Sequence, residues 1–197
     1  MRGRKTLPER WLFTDERQGA ALWHALDRLP RGSGVVFRHY GAANRAALLR
    51  KVRAAARRRG LLLVAAEAET LTMRIPQHAN RYRRRPGALT ASAHGVPDLI
   101  RAKRNGAALA FLSPVFPTAS HPGARTLGAV RFGLMLRQAR LGQGERRMRV
   151  GALGGMSERA FARMKAVGAT AWGAIDALSK METTGRRPKS AAKPARR

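Results

Sequence analysis

The stretch RVGALGGMSERAFARMKAVGATAWGAI, residues 149–175, places an amphipathic segment between two short apolar runs. Residues 149–153 and 171–175 have the length and composition of buried strands. The segment between them begins after Ser157, a residue type that caps helix N-termini. Two strands joined by a helix run parallel, because parallel pairing needs a long crossover connection. This stretch therefore predicts a βαβ unit and an α/β fold.

The same alternation of strand and helix patterns extends along the chain. Strands are predicted at 11–13, 34–38, 61–65, 71–75, 88–91, 107–112, 149–153 and 171–175. Helices are predicted at 18–29, 43–59, 77–84, 97–105, 127–141 and 157–167, with a short last helix after the eighth strand. Since only residues 66–70 separate the third and fourth strands, the helix between them should be shortened or absent. Eight such units predict a compact (β/α)8 TIM barrel, and a doubly wound open sheet is the competing fold.

Composition divides the chain into a barrel domain at residues 1–181 and a tail at residues 182–197. The tail is basic and has almost no large apolar side chains, so we expect it to be disordered. The absence of cysteine excludes disulfides, cysteine-ligated zinc and thiol catalysis. The apolar runs are far shorter than a membrane span, and no apolar segment follows the charged N-terminus. We therefore expect a cytoplasmic protein without membrane contact.

The net charge of +29 is compatible with a nucleic-acid partner, since clustered Lys and Arg side chains neutralise phosphates. Arg predominates over Lys, and the basic residues occur along the whole chain, which is also what a GC-rich genome produces. The basic clusters at 57–59 and 81–85 lack the regular aromatic interleaving of a surface on which bases stack. A basic protein that associates with nucleic acid through non-specific charge is therefore one alternative.

In a TIM barrel the active site lies at the carboxyl ends of the strands. Two of the predicted strand ends fit an anion site best. The polar loop 113–121 follows the sixth strand, and Gly154-Gly155 follows the seventh. A glycine turn that opens a helix presents backbone N–H groups to phosphate. The sequence thus predicts a phosphate site at the mouth of the barrel.

Four segments resemble the thiamine-phosphate synthase/TenI family: TASAHG (90–95), SPVFPTASHPGARTLG (113–128), GALGGM (151–156) and GATAWGAIDAL (168–178). Two segments of the first half resemble it more loosely, WLFTD (11–15) and VVFRHYG (35–41). The resemblance implies an eight-stranded barrel that joins an aminopyrimidine diphosphate to a thiazole phosphate. Pyrophosphate leaves with the help of Mg²⁺, and the product is thiamine phosphate.

The resemblance also implies roles for individual residues. The expected phosphate-binding residues are Ser92, Thr118, Ser120, Gly154, Gly155 and Ile175, and the expected catalytic residues are Arg38 and His121. The match departs from the family in the second-strand motif Gln-x-Arg-x-Lys, where this chain has Val36, Arg38 and Tyr40. Asp176 stands where the family has a phosphate-binding serine, and a carboxylate there repels phosphate.

The carboxylates that hold Mg²⁺ in the family are largely missing from this chain. Glu67 and His78 are the only candidates at the corresponding strand ends. One Glu and one His are a poor ligand set for a cation that prefers carboxylate oxygens and octahedral geometry. No metal site or other cofactor is therefore predicted, although the family uses Mg²⁺.

Three functions stay open at this point. The first is a thiamine-phosphate synthase-like transferase with an eroded metal and diphosphate site. The second is a divergent TenI-like barrel that binds a thiamine-precursor phosphate without synthase activity, and the third is the nucleic-acid-associated protein. The sequence does not predict the oligomeric state.

If His121 supplies the cation of the phosphate site, anion affinity should fall as the pH rises through about 6.5, where an unperturbed histidine loses its charge. Sulfate is a suitable probe because it does not titrate in this range. We expect calorimetry to show weaker sulfate binding at about pH 8 than at about pH 5.5, and little difference in His121→Gln. Equal affinity of the wild-type chain at both pH values contradicts this role.

Overall fold

Eight parallel strands form a closed barrel in the computed structural model, in the order β1 to β8, with β8 paired to β1. The structure describes residues 6–67, 74–80, 85–120, 122–141 and 147–179. Closure of the barrel confirms the predicted (β/α)8 fold and excludes the open doubly wound sheet. His121 and the predicted tail lie outside the described residues.

The bounds of most elements agree with the sequence patterns. The strands are β1 Arg10–Phe13, β2 Gly34–Phe37, β3 Leu62–Ala66, β4 Gln77–Ala79, β5 Thr90–Ala93, β6 Leu109–Leu112, β7 Arg149–Leu153 and β8 Ala171–Ala174. The helices are α1 Ala21–Arg28, α2 Arg45–Arg59, α3 Val96–Arg104, α4 Gly128–Ala139, α5 Glu158–Ala166 and α6 Asp176–Ser179, and a 3-10 turn covers Glu16–Gln18. As predicted, Ser157 caps α5, its hydroxyl accepting a bond of 3.2 Å from the backbone N–H of Ala160. None of these described helices has the length and apolar character needed to span a bilayer.

The predictions for the fourth strand and the following helix were wrong over the residues that the structure describes, while residues 71–73 and 81–84 lie outside the description. The strand was predicted at 71–75 and a helix at 77–84, but β4 lies at Gln77–Ala79. The strand was predicted at 71–75 because most of those residues are apolar. The three-residue strand β4 that the structure contains is mostly polar. Pairing with both neighbours overrides this pattern, since Ala65 pairs with Gln77 and His78 pairs with Thr90. No described residue between β3 and β4 is helical, while residues 68–73 lie outside the description.

Three aromatic rings fill the interior of the barrel. Phe111 on β6 meets Trp11 and Phe13 on β1 edge to face, with ring centroids 5.6 and 4.8 Å apart. All three rings are almost fully buried. Glycines on neighbouring strands make room for them, because a Cβ at Gly173 would lie 2.5 Å from Phe13 and a Cβ at Gly151 would lie 2.7 Å from Phe111. A large residue on one strand thus lies beside a glycine on the next strand, and this arrangement allows close packing of the interior.

This packing predicts that Gly173→Ala destabilises the fold. The added methyl group has no space beside Phe13, and overpacking a filled core costs about 1–3 kcal/mol. Gly41→Ala is the matched control, because the nearest atom to a Cβ there is 4.0 Å away. Urea unfolding should show a lower midpoint for Gly173→Ala and a nearly unchanged one for the control. Equal midpoints for the two variants would mean that the interior is not filled as described.

Candidate functional site

A cavity of about 620 Å³ opens at the carboxyl ends of the strands. Most of the residues predicted for the phosphate site line it: Arg38, Ser92, Thr118, Ser120, Gly154, Gly155 and Ile175. His94, Ser113 and Asp176 line it as well. Neither of the metal candidates, Glu67 and His78, does so. The barrel therefore brings residues from β2, β5, β6, β7 and β8 together around one space.

The loop after β6 is held against the glycine turn after β7 by close backbone contacts. The Val115 N–H donates to the Leu153 carbonyl at 2.9 Å, and the Phe116 N–H donates to the Gly154 carbonyl at 3.1 Å. Gly155 has a φ of +61°, and a Cβ there would lie 2.4 Å from the carbonyl oxygen of Pro117. Only glycine allows both this backbone conformation and this approach. Two of the segments that resemble the family are thus in direct contact.

Two hydroxyls of the β6 loop face each other at the cavity. The Ser120 N–H donates to Thr118 Oγ1 at 3.4 Å, and the two hydroxyl oxygens are 3.5 Å apart. Ser120 Oγ also accepts a bond of 3.2 Å from Arg17 Nη2. With its oxygen used as an acceptor, the Ser120 hydroxyl can donate its proton to a bound anion.

Sequence reasoning missed Arg17, which lies in the 3-10 turn after β1. Asp15 caps this turn and accepts bonds from the Arg17 N–H at 3.2 Å and from Arg17 Nε at 2.7 Å. The side-chain hydrogen bond to Asp15, with the charges of Asp15 and Asp176, raises the pKa of Arg17. The strand-end rule could have pointed to this turn, but no motif distinguished Arg17 from the other arginines. Since the Asp176 charge acts on Arg17, this cation offsets part of the repulsion between the Asp176 carboxylate and an anion.

Arg38 is the cation that lines the cavity, and its side chain is 20% exposed. Its Nε donates to the Thr14 carbonyl at 3.2 Å, Nη2 lies 3.4 Å from Asp15 Oδ2, and the guanidinium covers the Phe13 ring. Burial lowers the pKa of Arg38, while Tyr40 and Asp15 oppose this change. Arginine still remains charged. Since Nη1 has no hydrogen-bond partner among the described residues, the guanidinium has a donor left for an anion.

Asp15 is held ionised beside these arginines. Burial acts to raise its pKa, but the hydrogen bonds from Arg17 and the charges of Arg17 and Arg38 outweigh burial, so the pKa lies below its ordinary value. The carboxylate therefore keeps its charge at neutral pH and fixes both guanidinium groups.

The buried His78 bonds to Ser92, which lines the cavity. His78 Nε2 lies 2.9 Å from Ser92 Oγ, and Nδ1 lies 2.8 Å from Thr90 Oγ1. Burial, with a smaller effect from the Arg38 charge, lowers the pKa of His78 to about 3. The imidazole is therefore neutral at physiological pH, and both ring nitrogens are already engaged.

The described residues do not fit a Mg²⁺ ion at the ends of β3 and β4. Both nitrogens of His78 are engaged by hydroxyls, and Glu67 Oε1 accepts a bond of 3.4 Å from Asn80 Nδ2. The guanidinium of Arg45 donates to the carbonyls of Ala66 and Glu67, which puts a cation at the place where the family holds a metal. Across the parts of the chain that the structure describes, no three His, Asp or Glu side chains come close enough to share a metal ion.

Comparison with known proteins identifies the family. The family model for thiamine monophosphate synthase matches residues 33–178, whereas none of the curated proteins matches the chain. Thiamine phosphate pyrophosphorylase from Pyrococcus furiosus aligns with a TM-score of 0.68 and 18% identity over 90% of both chains. Thiamine phosphate pyrophosphorylase from Bacteroides thetaiotaomicron aligns with a TM-score of 0.53 and 14% identity, over 91% of this chain and 89% of that one. N-acetylmannosamine-6-phosphate 2-epimerase from Clostridium perfringens shares the fold at 10% identity and a TM-score of 0.51, over 87% and 88%.

The contact between the two loops predicts the effect of Gly155→Ala. The new Cβ would push the Pro117 carbonyl and the β6 loop away, so that Thr118 and Ser120 move from the cavity. We expect pyrophosphate affinity, measured by calorimetry, to fall by about tenfold or more.

The control for this experiment is Gly32→Ala. Gly32 also has a positive φ, +80°, but nothing lies within 4 Å of a Cβ there. Gly32→Ala introduces the same kind of backbone strain without the contact between the loops. The pyrophosphate affinity of this variant should therefore stay at the wild-type value. Equal losses in both variants would contradict a specific role of the loop contact.

Proposed function

This chain belongs to the thiamine monophosphate synthase family, and we propose that it joins an aminopyrimidine diphosphate to a thiazole phosphate in the cavity at the barrel mouth. The observation that carries the proposal is the convergence of Arg38 with the hydroxyls of Ser92, Thr118 and Ser120 around the Gly154-Gly155 turn. Hydroxyls, a guanidinium and a glycine turn are the donors that proteins use to bind phosphate.

The proposed reaction breaks the bond between the pyrimidine methylene carbon and the diphosphate oxygen. Pyrophosphate leaves with the bonding electron pair, and the thiazole nitrogen donates its lone pair to the methylene carbon. The products are thiamine phosphate, with a positively charged thiazolium ring, and pyrophosphate. Negative charge grows on the leaving oxygen as the bond breaks, so donors that are fixed around that oxygen lower the barrier.

In this chain we assign the largest share of that task to Arg38. The described residues do not fit Mg²⁺, and they leave the Nη1 donor of Arg38 without a partner beside the cavity. A guanidinium can bind two phosphate oxygens at once and keeps its charge at every physiological pH. One monovalent cation neutralises pyrophosphate less completely than a divalent ion, so we expect slow turnover.

A second candidate function is precursor binding without synthase activity. Asp176 favours it, because this carboxylate lines the cavity at the place where the family has a serine. Val36 and Tyr40 also replace the family's glutamine and lysine in the second-strand motif. A phosphate-bearing precursor would then bind beside the β6 loop, but the diphosphate would not be activated.

A coupling assay with both precursors tests the proposal. We expect thiamine phosphate to form slowly, and to form equally well with a chelator present. Arg38→Ala should lower kcat/KM by roughly 10- to 100-fold, the usual effect of losing a charged hydrogen bond. Arg58→Ala, an exposed position on the outer helix α2, is the control and should leave kcat/KM unchanged.

The other outcomes separate the alternatives. Activity that a chelator abolishes and Mg²⁺ restores contradicts the role given to Arg38. Pyrophosphate binding without any turnover favours the second candidate function. If no phosphate compound binds, the assignment of the cavity itself is wrong.

A further inference from the structure

We propose that Thr90 and His78 position the Ser92 hydroxyl as a hydrogen-bond donor aimed at the cavity, so that Ser92 binds the phosphate part of the substrate. The inference deepens the proposed function and rests on it for the identity of the ligand. The orientation of the three side chains, however, follows from the structure alone. His78 and Thr90 act here as positioning residues, and Ser92 is the residue that contacts the ligand.

Thr90, His78 and Ser92 form a hydrogen-bonded chain that leads from the barrel interior to its mouth. Thr90 has no exposed surface, His78 is 2% exposed, and Ser92 lines the cavity. The register of β4 and β5 pairs His78 with Thr90, and the alternation of side chains along a strand puts Ser92 on the same face as Thr90. The ring can therefore contact one hydroxyl with each of its nitrogens.

Among the described residues, His78 has no hydrogen-bond partner other than Thr90 and Ser92. Phe13 and Phe111 pack around the ring, with centroids 5.8 and 6.5 Å away. The nearby positive charge of Arg38 disfavours a second proton on the imidazole. A neutral imidazole has one N–H donor and one acceptor nitrogen, so the question is which nitrogen carries the proton.

Hydrogen-bond satisfaction decides between the two tautomers. If Nδ1 carried the proton, it would donate to Thr90 Oγ1, and the Thr90 hydroxyl would need another acceptor. Within the described part of the chain, His78 is the only hydrogen-bond partner of that hydroxyl. The Nδ1–H tautomer would therefore leave a fully buried donor unsatisfied, which is costly.

The Nε2–H tautomer satisfies every buried group. The Thr90 hydroxyl donates to Nδ1, and Nε2–H donates to Ser92 Oγ. The Ser92 oxygen is then used as an acceptor, and its own proton is free to point into the cavity, where solvent or a ligand can accept it. The buried chain thus fixes the polarity of a group at its open end.

This polarity selects the class of ligand atom at Ser92. A hydroxyl held as a donor suits the oxygens of a phosphate or diphosphate. Among the groups of the proposed substrate, the phosphate oxygens are the charged acceptors, and a hydroxyl donor bonds most strongly to a charged acceptor. Ser92 therefore belongs to the phosphate side of the cavity, together with the β6 loop and Arg38.

The tautomer can be measured without any ligand. Long-range ¹H–¹⁵N correlation spectra of the full chain distinguish the protonated ring nitrogen of each histidine, and triple-resonance experiments assign His78. We expect the Nε2–H form to predominate. A predominant Nδ1–H form overturns the inference, whatever the substrate of the protein is.

A double-mutant cycle with pyrophosphate as the probe tests the effect on binding. Ser92→Ala should lower the affinity by about tenfold, and Thr90→Val by about threefold or more, since its methyl group cannot donate to Nδ1. In the Ser92→Ala background, Thr90→Val should have no further effect, because Thr90 acts only through Ser92. Thr90→Ser keeps the hydroxyl and should retain wild-type affinity.

Equal losses from Thr90→Val in both backgrounds would show a merely structural role and overturn the inference. If the wild-type chain does not bind pyrophosphate, the proposed function fails, whereas the tautomer spectrum still decides the orientation of Ser92. The two experiments thereby distinguish a failure of the proposed function from a failure of the inference about Ser92.

Discussion

The closed barrel depends on the fit between the aromatic rings of β1 and β6 and the glycines of the strands around them. Phe13 has the central place in this packing. Its ring meets Phe111 inside the barrel, leaves no room for a side chain at Gly173, and lies under the guanidinium of Arg38 and beside the imidazole of His78. One apolar side chain thus packs against the core on one side and against the polar groups of the mouth on the other. The packing of the core and the positions of the polar side chains at the mouth therefore depend on the same ring.

The mouth has a rigid side and a polar side. The rigid side is the contact between the β6 loop and the Gly154-Gly155 turn, where backbone groups bond to each other and leave no space for a Cβ at Gly155. The polar side consists of side chains that hold each other in place, with Asp15 fixing Arg17 and Arg38, and Thr90 and His78 fixing Ser92. A site whose groups are oriented before the ligand arrives loses little entropy on binding.

The sequence was sufficient for the barrel and for most of the cavity lining, because both follow from regular rules. The period of apolar residues places most strands, and the strand-end rule finds Arg38 and Ser92 without knowledge of contacts. The fourth strand could not be found in this way, since QHA has no apolar pattern and becomes a strand only through pairing with its neighbours. Arg17 was missed for a related reason: what distinguishes it from other arginines is contact with Ser120, 103 residues away. His78 was considered as a metal ligand because its type suggests one, but its position in β4 turns it into the barrel, where two hydroxyls engage it.

The chain differs from the family to which it belongs in the charged groups at the mouth of its barrel. At the ends of β3 and β4, the guanidinium of Arg45 binds carbonyl oxygens, and no described cluster of carboxylates could attract a divalent ion. The positive charge that the structure describes at the mouth lies on side chains, with Arg38 at the cavity and Arg17 bonded to Ser120 at its rim, each partly balanced by Asp15. A guanidinium differs from a metal ion in two ways. Its N–H donors point in fixed directions, and its presence in the site does not depend on the concentration of a free ion. It also carries one charge instead of two, so on the proposed function the stabilisation of a leaving pyrophosphate must come to a larger extent from neutral donors. On the proposed function, this gives the orientation of the Ser92, Thr118 and Ser120 hydroxyls greater weight than in a site that contains a metal, because each has to be a donor at the moment when charge develops.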